Sequence, residues 1–161
     1  MAKVRKAKGL PDGSLIADGL ERLDYFDAYA TVMESDEPVE TITEKIFALP
    51  GWIETALRIR HYLIARPFGL RTGKFDVAPG SLKRESESVP VIAKNDHEIV
   101  MGSDDKHLYF RLSVLKKTQG RGTDVFLTTA VKFHNVWGRV YFFFIRIGHV
   151  LVVRSLLKRL G

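Results

Sequence analysis

From Val91 to Ile145 apolar and polar side chains alternate in short runs, and the links between the runs are shorter still. The runs fall at Val91–Lys94, His97–Gly102, His107–Lys116, Asp124–His134 and Arg139–Ile145. They are joined by Asn95-Asp96, Ser103–Lys106, the glycine-containing Lys117–Thr123 and Asn135–Gly138. A period of two is the signature of a strand, and short links leave antiparallel neighbours in a meander as the reachable topology. In His107–Lys116, Leu108, Phe110, Leu112 and Val114 share one face, while His107, Tyr109, Arg111 and Ser113 share the other. That pattern describes a sheet with one apolar and one wetter face. Val125, Leu127, Thr129, Val131 and Phe133 form the apolar set of the next run. Val140–Ile145 is apolar on both faces and reads as a strand covered on both sides.

Helices flank this meander. Residues 148–160 place Val150, Leu151, Val153, Leu157 and Leu160 on a broad apolar stripe, with Arg154, Lys158 and Arg159 toward the end where cations favour the helix dipole. Upstream, Leu23–Met33 reads as a first strand. Thr41 and Thr43 are candidate N-caps, and Thr41 precedes Glu44 at capping-box spacing. Ile42, Ile46, Phe47 and Leu49 then form a short amphipathic helix. Pro50-Gly51 interrupts it, and Trp52 to Ile64 resumes the helical period until Pro67 and Gly69. Residues 71–90 read as a long loop. The expected fold is α+β: a curved antiparallel sheet wrapped around a long C-terminal helix, with two helices after the first strand. Residues 1–20 are expected to be a basic tail and irregular lead-in, and residues 21–161 a single domain.

Several stretches carry a resemblance. The element order over residues 23–160 resembles the helix-grip fold of the START-like (SRPBCC) superfamily. Gly102-Ser103-Asp104-Asp105-Lys106-His107-Leu108-Tyr109-Phe110-Arg111 is similar to an uncharacterised bacterial branch of it. So is Thr128–His149, with His134-Asn135, Gly138-Arg139, Tyr141-Phe142 and a His149 opening the last helix. Ile147-Gly148 stands where that branch usually has a Pro–aromatic pair. The resemblance implies a cavity between sheet and last helix for a lipid, polyketide or other apolar molecule. Some members of the superfamily are cyclases or dehydratases.

Composition narrows the chemistry. The 161 residues contain no cysteine, which excludes disulfides, cysteine-ligated metals and a thiol nucleophile. The net charge is +6, and Lys3, Arg5, Lys6 and Lys8 supply four of these charges at the start. Such a start suits an anionic membrane surface or a solvated terminus. It lacks the apolar run of a signal peptide, and Arg146 ends the longest apolar run after Ile145, so a cytoplasmic location is expected. There is no Walker A, GxSxG or GxGxxG motif, so no cofactor is expected. No aromatic platform accompanies the basic residues, so nucleic acid is not an expected partner.

The densest polar group is Asp104-Asp105-x-His107-x-x-x-Arg111. A carboxylate beside an imidazole can orient a general base. The same residues also fit a turn followed by the wet face of a strand. A lone histidine without ligand spacing makes a metal site unexpected. Thr129 places a hydroxyl on the buried face, where it must bond locally or meet a ligand. Trp52, Phe68, Phe75 and Tyr141–Phe144 supply aromatic surface for a pocket or for the core. Candidate ligand-binding residues are therefore Trp52, Asp105, His107, Phe110, Arg111, Thr129 and Tyr141. The favoured expectation is a non-enzymatic module binding a small apolar molecule or lipid. A cyclase- or dehydratase-type enzyme drawing on Asp105, His107, His134, Arg139 or Tyr141 is the alternative. Membrane docking through the basic start and Trp137 is a third.

Overall fold

A computed structural model of the chain describes residues 3–48, 51–60, 67 and 89–160. Its elements are β1 (Arg5–Lys6), β2 (Tyr25–Met33), α1 (Val39–Phe47), α2 (Gly51–Arg60), β3 (Val91–Lys94), β4 (Glu98–Asp104), β5 (Leu108–Gln119), β6 (Gly122–Phe133) and α3 (Val136–Lys158). The expected Leu49, the helical residues 61–66 and most of the loop 71–90 lie outside the described residues, as do Phe68 and Phe75.

All six strands join one antiparallel sheet in the order β1-β2-β6-β5-β4-β3. The meander β3–β6 follows from its short links. The tightest, between β5 and β6, turns on Gly120, whose φ of +60° suits a residue without a Cβ. The helices pack on one face: α3 over β2 and β6, α1 over β5 and β4. Tyr29, Met33, Met101, Leu112, Val114, Val125 and Leu127 of the sheet meet Ile42, Ile46 and Phe47 of α1, Ile53 of α2, and Val153, Leu156 and Leu157 of α3 there. A second cluster joins Leu108, Val131 and Phe133 to Tyr141 and Phe142.

One expected strand is a helix. Residues 139–145 form the N-terminal half of α3, which runs unbroken for 23 residues, roughly 34 Å. The reason lies in the sheet. β6 is already paired with β5 on one edge and with β2 on the other, so a strand following it through a short link has no free edge of β6 to join. Asn135–Gly138, read as a hairpin link, instead starts the helix: the Asn135 side chain accepts the Gly138 N–H at 3.2 Å. Trp137 therefore sits in the first helical turn, Tyr141 is a helical residue, and His149 lies mid-helix and does not open it.

Two further expectations change. α1 begins at Val39 with Pro38 before it, without a side-chain cap, and Thr43 Oγ1 donates to Val39 O at 2.7 Å within the helix. The basic tail, expected to be loose, and the irregular lead-in pack on the sheet. Arg5–Lys6 pairs with β2, and Leu10, Leu15, Ile16, Leu20 and Leu23 cluster with Val100 and Ala130 on the face away from the helices. The wetter face of the sheet is thus a buried one.

Candidate functional site

Register decides which predicted residues meet. Leu108, Phe110, Leu112 and Val114 of β5 stand opposite Phe133, Val131, Thr129 and Leu127 of β6 and face the helices. The intervening Tyr109, Arg111 and Ser113 point the other way, under the lead-in. Arg111 Nη1 donates to Ile16 O at 3.0 Å and to Asp18 O at 2.6 Å, and its Nε donates to Tyr109 Oη at 3.0 Å. Glu98, fully buried beside it, accepts from Ser14 Oγ at 2.6 Å, from Leu15 N at 2.7 Å and from Ser113 Oγ. This polar layer fastens the lead-in to the sheet.

Asp105 and His107 belong to the β4–β5 turn. Asp105 Oδ1 accepts the Lys106 N–H at 2.6 Å, and Asp105 N donates to Leu108 O. His107 Nδ1 contacts the Asn135 side-chain amide at about 3 Å, which ties the turn to the start of α3. His134 Nε2 lies 2.5 Å from Asp104 Oδ1 at the surface. Trp52 is 54 % exposed on α2. Tyr141 is buried in the core beside Leu108 and Phe142. The structure therefore separates Asp105, His107 and Arg111 from Thr129, with the sheet between Arg111 and Thr129.

Thr129 stands in a different company. It is 3 % exposed, faces α3, and is the cross-strand partner of Asp27, itself 3 % exposed. Tyr25 Oη donates to Asp27 Oδ2 at 2.7 Å. His149 reaches down from α3 and brings Nε2 to 3.2 Å from the same oxygen, within ion-pair distance but out of line for a hydrogen bond. Asp27 Oδ1, Thr129 Oγ1 and His149 Nε2 are all buried without a hydrogen-bond partner among the described residues. Such groups are rare, because leaving each unpaired costs about 1–3 kcal/mol. Here three converge between one strand pair and one helix. Burial pushes the Tyr25 phenol well above its ordinary range, and the bond to the Asp27 carboxylate and its charge add to this.

Beside this cluster is an open depression of about 200 Å³ lined by Asp24, Tyr25, Phe133, Arg139, Phe142, Phe143 and Arg146. Tyr25 and Phe142 belong to both places: Phe142 packs on Tyr25, with ring centroids 4.6 Å apart, and on the His149 ring at 6.4 Å. Arg139 stacks over Phe133 and lies 3.8 Å from Asp24. Burial raises the Asp24 carboxyl, but the Phe133 N–H, Arg22 and Arg139 outweigh it and hold it below the usual range. Among the described residues no group of three or more histidine, aspartate or glutamate side chains is placed to hold a metal ion. Reading the sequence missed Asp27, although a carboxylate at an inward position between Tyr25 and Tyr29 of a period-two strand was there to be seen.

Residues 20–156 match a family described as Protein of unknown function (DUF2867). No curated protein matches the chain. A similar solved structure is that of DR_A0006 from Deinococcus radiodurans, a Northeast Structural Genomics Consortium target. It is 18 % identical with a TM-score of 0.35, and the match covers 79 % of this chain and 98 % of that one.

Proposed function

We propose that this chain, which belongs to the DUF2867 family, binds a small, largely apolar molecule carrying a hydroxyl or amide group between β2, β6 and α3. The observation that supports this reading is the convergence of Asp27 Oδ1, Thr129 Oγ1 and His149 Nε2, all buried and without a hydrogen-bond partner among the described residues. Asp27 Oδ1 only accepts, while a threonine hydroxyl donates or accepts and an imidazole nitrogen does either by tautomer. A ligand hydroxyl satisfies both sides of this set. A ligand carboxylate would instead face the Asp27 charge. Phe133, Phe142 and Tyr25 supply apolar surface for the rest of the molecule, and the depression they line is its way in.

Organic-solvent extraction of the purified chain, followed by mass spectrometry, tests this. A lipophilic molecule at about one per chain is expected from the wild type and not from Asp27→Leu/His149→Leu, provided that variant keeps its circular dichroism spectrum. Identical extracts from both would refute the site. A specific observation also favours a second reading: an imidazole within 3.2 Å of a carboxylate is the arrangement general acid–base catalysis needs. In that case His149→Gln retains the extracted molecule and loses its conversion.

A further inference from the structure

The two sides of α3 have opposite surroundings. Tyr141, Phe142, Val153, Leu156 and Leu157 are buried against the sheet and α1. On the other side Phe144, Ile147 and Leu151 recur three or four residues apart and, with Val136 and Phe143, stay 61–75 % exposed. Globular proteins seldom leave an apolar stripe of this length in water without a partner for it. The helix is long and apolar enough to cross a membrane by length and composition. Its opposite face is committed to the sheet, however, so α3 is placed to lie along a surface and not to pass through one.

Charge selects the surface. Residues 136–160 contain Arg139, Arg146, Arg154, Lys158 and Arg159 and no aspartate or glutamate. Arg146, Arg154 and Lys158 form no ion pair with a described residue. An apolar stripe set among cations is the arrangement of a helix that rests in the headgroup layer of an anionic bilayer, its apolar side roughly 5–10 Å deep. A second copy of the chain complements this face poorly, because α3 packed on α3 brings cations together with no carboxylate on either helix.

We infer that the outer face of α3 docks on an anionic lipid bilayer, with Phe144, Ile147 and Leu151 entering the acyl boundary and Arg154 and Lys158 meeting the phosphates. This differs from docking through the basic start of the chain, where Arg5 is engaged with Asp124 at 3.0 Å. It is also independent of the interior site, since Phe144, Ile147 and Leu151 do not line the depression.

The test is co-sedimentation of the full chain with phosphatidylcholine vesicles, with and without phosphatidylglycerol. Binding to the anionic vesicles is expected to exceed binding to the neutral ones by about tenfold and to weaken with salt. Phe144→Asn/Ile147→Asn and, separately, Arg154→Glu/Lys158→Glu are expected to lose about tenfold or more. Their circular dichroism and solvent extracts should be unchanged, so loss of docking is distinguishable from loss of the interior ligand. Anionic-vesicle binding that survives both variants would overturn the inference. So would a chain that ignores vesicles, whether it elutes as a monomer or as a dimer that Phe144→Asn/Ile147→Asn dissociates.

Discussion

Thr129 is the residue at which fold and function pull apart. Its hydroxyl is buried without a partner beside Asp27, so in the ligand-free chain it is a cost to folding. Valine has nearly the same shape and nothing to desolvate. Thr129→Val should therefore stabilise the solvent-stripped chain by about 1 kcal/mol in urea unfolding. The chain as isolated should gain less, because a bound ligand stabilises only the protein that holds it. Destabilisation of the stripped chain would show that the hydroxyl has an internal partner. Thr129 was legible because an inward hydroxyl in an apolar run must answer for its hydrogen bond. Asp27 was equally inward in the pattern of β2. What alternation alone lacks is the partner: His149 lies 122 positions away, and only the packing of α3 over β2 brings the two together.

At the level of elements, the antiparallel strands β3 to β6 were readable because periodicity and link length agreed there. The segment Arg139–Ile145 was not. A run that is apolar all round has no period to read, and a buried strand and a buried helix share that composition. The deciding facts are non-local: both edges of β6 are taken, and Asn135 caps a helix. Gly138 makes the junction possible. A Cβ there would collide with His107 O, so the first turn of α3 packs against the β4–β5 turn only without one. Alanine is the better helix former by about 1 kcal/mol. Even so, Gly138→Ala should destabilise the chain by roughly 2 kcal/mol in urea unfolding, because backbone must move to admit it. A neutral or stabilising result would contradict this close approach.

At the scale of the molecule, the six-stranded sheet is covered on both faces by different means. One face carries α1 and α3. The other carries the lead-in, held by the bonds of Arg111 and Glu98. That use of Arg111 explains why the polar group around it, the most conspicuous in the sequence, lies away from Thr129: period two puts it on the opposite face, and the lead-in makes that face interior. Arg111 and Glu98, buried with partners, build the fold on one side of the sheet. On the other, Asp27, Thr129 and His149 bring together buried atoms that have no hydrogen-bond partner among the described residues. The claim that these await a ligand hydroxyl is tested most directly by titrating the stripped chain with 1-decanol and with decanoate while following the His149 ring and Thr129 methyl signals by NMR. Saturable shifts at both residues with 1-decanol, and affinity for decanoate weaker by about tenfold, are expected from the Asp27 charge. Shifts confined to the outer face of α3, or equal affinity for alcohol and carboxylate, would contradict it.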